Sequence, residues 1–167
     1  MTHDELLAFL TPFTAERLAL LQRHDAGAQV VSHYDFNNTY QYVINREETH
    51  IGWLRSAVEE AGGQMPAASS ALPVPEVGKS KKVEPAAFRA VLEDDARQVT
   101  AFVQKWRPKV EAVSHARHRT MLGVILGESV EHARLFTQAA EGFEDVLGKR
   151  TGGVARQGGV LAQRWQE

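Results

Sequence analysis

A chain of 167 residues with 43% hydrophobic side chains can bury one real core and is too apolar to be disordered. Its 19 basic and 21 acidic residues leave a formal charge of −2, so no single-sign surface argues for a nucleic-acid partner. Cysteine is absent, which excludes disulfides, thiolate metal ligands and thiol catalysis. The segment Met1-Thr2-His3-Asp4-Glu5 has no basic region followed by an apolar core, and no stretch approaches the 18 apolar residues of a membrane span. The expectation is a soluble, cytoplasmic protein without a membrane partner.

Apolar residues recur at helical spacing almost throughout, with no convincing two-residue alternation. A first helix is expected from about Asp4 to Val31, with Thr11-Pro12 as a kink or a restart. Asp35 can cap a second helix that runs to Ala61 and ends at Gly62-Gly63. Residues 64–83 hold three prolines and no helical stripe, and read as an extended connection. Glu84-Pro85 restarts a helix, Pro108 ends or bends it, and a fourth helix runs from roughly Val110 to Leu147. A connection of this length is uncommon in a compact domain unless it crosses the length of a bundle. The expected fold is therefore all-α: a four-helix bundle at 1–148, its two antiparallel hairpins joined by a long crossover.

Three of the expected helices carry ionisable residues inside apolar seams. Phe36, Tyr40, Val43, Glu47, His50, Leu54 and Ala57 follow four-three spacing, as do Met121, Ile125, Glu128, His132, Leu135 and Ala139. A third seam, Phe88, Leu92, Asp95, Val99, Phe102 and Trp106, holds one Asp, and Asp95 lies 33 residues before Glu128, which an antiparallel hairpin brings level. A carboxylate in such a seam costs several kcal/mol unless it is paired or coordinated. A pair of metal ions is the simplest agent to make one polar centre of all three, since carboxylates neutralise cations and imidazoles supply nitrogen. A buried salt-bridge network is the competing explanation.

The run Arg46-Glu-Glu-Thr-His-Ile-Gly-Trp-Leu-Arg-Ser-Ala-Val-Glu-Glu-Ala-Gly-Gly63 resembles the second helix of ferritin-like and rubrerythrin-like proteins. Gly127-Glu-Ser-Val-Glu-His-Ala-Arg-Leu-Phe136 is similar to their fourth helix. The resemblance implies a ferritin-like bundle holding two iron ions, or manganese, and reacting with dioxygen or peroxide. It casts Glu47 and Glu128 as bridging carboxylates, His50 and His132 as nitrogen ligands, and Asp95 as the carboxylate of the third helix. Glu16, spaced with Phe9, Phe13 and Leu20, is the expected ligand of the first helix, ahead of Glu5 and Asp25. Glu128 and His132 are four residues apart where the family pattern has three, so either Glu131 substitutes in part for Glu128 or the site is distorted. The implied activity is ferrous-iron oxidation or peroxide scavenging; the alternatives are a non-catalytic bundle with a degenerate metal site, holding one metal or none, used for oligomerisation or binding, and a diiron hydroxylase. No Cys-x-x-Cys pair exists, so the rubredoxin-like domain of rubrerythrins is missing.

Tyr40, Trp53 and Trp106 read as core aromatics, and Gly123 and Gly127 as sites of close helix packing. His115-Ala-Arg-His-Arg119 and Lys79-Ser-Lys-Lys82 read as solvated charge. The tail, 149–167, has two glycine breaks before Val160-Leu-Ala-Gln-Arg-Trp165 and is expected to be a docking arm or short fifth helix. An arm that docks on a neighbouring subunit implies a homo-oligomer, a dimer or larger.

Overall fold

The computed structural model describes residues 2–77, 84–144 and 146–148. The tail and the Lys79–Lys82 run, for which a docking arm and solvated charge were expected, lie outside the described residues. Within them the chain is all-helical, with four α-helices and no strand.

Helix α1, His3–Val30, begins with a capping box: the Thr2 hydroxyl accepts from the Glu5 N–H while the Glu5 carboxylate accepts from the Thr2 N–H. Pro12 sits inside α1. Neither a restart nor a helix end occurs there, because proline removes one backbone bond while the buried seam on both sides of it holds the helix in place. Helix α2, Tyr34–Glu60, starts after His33, which makes no capping bond; Asp35, the expected cap, falls in the first turn instead. Its end is as expected, with Gly62 at φ +76° and the Gly63 N–H returning to the Val58 carbonyl at 2.9 Å.

The connection then lies against the bundle, where the Ser69 N–H donates to the Ala15 carbonyl and Met65, Leu72, Val74 and Val77 pack on the core. A short 3-10 turn, Pro85–Phe88, leads into α3, Arg89–Glu111, which carries Pro108 within it. Helix α4 is shorter than expected at both ends, Ala116–Ala140, because residues 112–115 form the turn of the hairpin and Gly142 adopts φ +92°. Helices α1 and α2 pack together, as do α3 and α4; α2 also meets α4, and α1 meets α3. Each helix therefore turns one seam toward a common axis. No helix among the described residues is long and apolar enough to cross a membrane.

Trp106 is buried against Phe9, Phe13 and Phe102. Trp53 departs from expectation, being 37% exposed on α2. Gly123 and Gly127 depart as well: both are exposed, and a Cβ added at either meets nothing within 4 Å, so they serve no packing among the described residues. Close approach occurs instead at Gly27 and Gly63, where an added Cβ would lie 2.7 Å from Tyr40 Cε1 and closer still to Leu7 Cδ1, respectively.

Candidate metal centre

The three expected seams all face inward. Glu47, His50, Asp95 and His132 are buried, and Glu128 keeps 30% of its side chain exposed. Helix α1 contributes a fourth seam, Leu6, Leu10, Phe13, Arg17, Leu20, His24 and Gly27, at the same four-three spacing. Its ionisable members are one cation, Arg17, and an imidazole, His24, rather than an acid. Arg17, Arg23 and His24 are all buried in the centre.

These residues form two connected groups. In the inner group, Arg17 Nη1 lies 3.1 Å from Glu47 Oε1, and His24 Nδ1 lies 2.8 Å from Glu47 Oε2. Arg23 Nη2 reaches Asp95 Oδ1 at 3.3 Å and Asp94 Oδ2 at 3.2 Å, and the Tyr40 hydroxyl donates to the other oxygen of Asp95. Two guanidiniums thus face two buried carboxylates across His24, so the group is close to neutral without any further cation. Burial alone would raise the Glu47 carboxyl, yet His24 and Arg17 hold it down to about 2. Asp95 goes the other way: burial raises its carboxyl despite His24 and Arg23. Tyr40 is pushed up by burial and by Asp95 beside it, so it stays a phenol and a donor.

The outer group lies where α2 meets α4. His50 Nε2 is 2.9 Å from Glu128 Oε2, and His132 follows Glu128 by one turn on α4, its ring 6.2 Å from that of His50. Arg17 Nη2 is 3.0 Å from His50 Nδ1; a guanidinium has no acceptor, so it donates, His50 Nδ1 accepts, and Nε2 carries the ring proton toward Glu128. Burial and the Arg17 charge lower His50 to about 4 and His132 to about 3. Both imidazoles are therefore neutral near pH 7, the form in which histidine binds metals. His132 Nδ1 is buried and meets no hydrogen-bond partner. Glu128 is also held by Arg46, whose Nε and Nη2 reach its two oxygens at 2.9 and 2.6 Å.

Two expected ligands stand apart from both groups. Glu16 accepts from Trp106 Nε1 at 2.9 Å and pairs with Lys105, on the α1–α3 face. It sits one position off the buried α1 seam, where Arg17 takes the place expected of an acid. Glu131 pairs with Arg134 on its own helix and is directed away from the seam that Glu128 and His132 share. Glu5 belongs to the α1 capping box.

No known protein family, curated protein or solved structure matches the chain. Its side chains alone carry the assignment.

Among the described residues, the one set of three ligand-type groups with all donor atoms within 4.8 Å is His33, Asp35 and Glu144, at the end of the bundle and partly exposed. His50, Glu128 and His132 are more open than that. The basic cluster at the start of α4 is exposed as expected at His115, Arg117 and Arg119, while His118 is buried against His115, their Nδ1 atoms 2.8 Å apart. Sequence reasoning passed over Arg17, Arg23, His24 and Arg46. The signal for Arg17 and His24 was present, since they fall on the four-three spacing one residue away from the Phe9–Glu16 stripe.

Proposed function

We propose that this chain binds one divalent transition-metal ion through His50, Glu128 and His132, in a ferritin-like bundle, and uses the remaining coordination positions for chemistry on a small ligand. The observation that carries this reading is the pairing of two buried, neutral imidazoles from facing helices with one half-exposed carboxylate. Two histidines and one carboxylate, with positions left open, suit iron(II), manganese(II) or zinc. Dioxygen or peroxide is the ligand for iron or manganese, the reaction class that the resemblance implies.

A pair of ions is not required. Glu47 and Asp95 already have Arg17 and Arg23 as counter-charges, and a second cation among them would meet two buried guanidiniums. A metal held by His50 Nε2 would require the ring proton on Nδ1, and Arg17 would then leave His50 and stay on Glu47. Arg46 must likewise let go of Glu128. These two exchanges, with a shift of the His132 ring, close the site.

The second reading is a bundle in which the same side chains serve only structure. Its supporting observation is that Arg46 grips Glu128 by two bonds and Arg17 satisfies His50. Metal analysis of protein expressed with supplemented iron and manganese separates the two. One equivalent per chain, lost in His132→Ala, supports the metal reading. No metal in the wild type, with His132→Ala as stable as the parent or more so, rejects it.

A further inference from the structure

The mouth of the outer group is built from more than metal-ligand types. Arg46 lies on the exposed side of α2, one turn after Tyr42 and two turns before Trp53, so these three share a face. Tyr42 is 44% exposed with its ring 6.3 Å from His132, and Trp53 has its ring 5.4 Å from His50. Two half-exposed aromatic rings thus flank the two imidazoles, with a guanidinium between them along the helix. Opposite, Gly127 precedes Glu128 without a side chain, and an added Cβ there would meet nothing within 4 Å.

Charge decides what such a mouth takes. Without a metal, Glu128 and Arg46 neutralise each other. A divalent ion that captures Glu128 releases the guanidinium, and the ion with one carboxylate and two neutral imidazoles keeps a net charge of +1. With Arg46 beside it the mouth then carries +2, and no other acid among the described residues is bonded to either group. Lysine would be a poor substitute for Arg46, because the planar fork that now grips two oxygens of Glu128 is the geometry that grips any carboxylate.

We infer that Arg46 is an anion anchor: it holds Glu128 until the metal arrives, and then binds the carboxylate of a small organic acid whose other end reaches the metal and whose apolar body lies against Tyr42 and Trp53. This rests on the metal reading above and adds to it the class of ligand.

Calorimetric titration of zinc and then of benzoate into the whole protein tests it, with acetate and inorganic phosphate as parallel probes. The zinc-loaded wild type is expected to bind benzoate at least tenfold more tightly than acetate or phosphate, and more tightly than the zinc-free protein does. Arg46→Ala should bind zinc as well as or better than the wild type, since the competing cation is gone, yet lose tenfold or more in benzoate affinity. Arg46→Lys should fall near the alanine variant. Benzoate binding unchanged in Arg46→Ala overturns the inference while zinc binding stands, and phosphate outcompeting benzoate overturns the organic-acid assignment. Failure of the folded wild type to bind zinc at all overturns the metal reading together with the inference built on it.

Discussion

The inner and outer groups are made of the same residue types but differ in how their charge is satisfied. Around Glu47 and Asp95, acids and arginines are matched in number, and Arg17, Arg23, Glu47 and Asp95 have no exposed side-chain surface. Around Glu128, the acid is 30% exposed, its partner Arg46 is 33% exposed, and the adjoining imidazoles are neutral. A buried, charge-matched network holds helices in register even though Arg17 Nε, Arg23 Nε and His24 Nε2 meet no hydrogen-bond partner there. Burial of a polar residue in a seam therefore does not by itself mark a binding site.

The largest effect expected from breaking this contrast lies in the inner group. Arg17→Met leaves the buried Glu47 with His24 but no guanidinium and should cost about 3–5 kcal/mol in urea unfolding. Adding Glu47→Leu should restore most of that loss or exceed the parent, because two apolar side chains replace the pair. If the single variant is as stable as the parent, the inner group is not the closed network described.

Acid titration gives the next effect. His50 and His132 are neutral when folded, with values of about 4 and 3 against 6.5, so the unfolded chain binds more protons between those limits. Their contribution is whole above pH 6.5 and is lost as pH falls toward 4 and then 3, on the order of 3 kcal/mol for His50. Glu47, held at about 2 against 4.5, adds a further loss below pH 4.5. Unfolding free energy measured on metal-free protein should thus decline steadily from pH 6.5 downward. A flat profile between pH 6.5 and 4.5 contradicts the neutral imidazoles.

In the outer group, Glu128→Ala should remove metal binding while changing stability by less than about 1 kcal/mol, since a half-exposed ion pair contributes little. Smaller still, Glu131→Ala should leave metal content unaltered and stability within about 0.5 kcal/mol. A loss of metal in Glu131→Ala would move the site toward the three-residue spacing of the family pattern.

The helical architecture and the inward faces of α2, α3 and α4 were legible in the sequence because each seam repeats at four-three spacing with one or two polar interruptions. The α1 seam was not, because Arg17 and Arg23 look like the polar face of an amphipathic helix unless their buried partners are known. That misreading placed Glu16 inward, whereas its oxygens serve Trp106 and Lys105. A restart at Pro12 and a helix end at Pro108 were open in the sequence, and neither occurs, since both prolines are carried inside helices whose buried faces outweigh one lost backbone bond. Arg46 was invisible as a participant, since its contact with Glu128 spans 82 residues of sequence.

The most direct test of the central claim is an anomalous-difference map from crystals of the iron- or manganese-loaded protein, recorded at the metal edge. The account predicts a single peak per chain, bounded by His50, Glu128 and His132, with Arg17 still on Glu47 and Arg46 turned away from Glu128. A pair of peaks bridged by Glu47 and Glu128, a peak between Glu47 and Asp95, or no peak at all would contradict it.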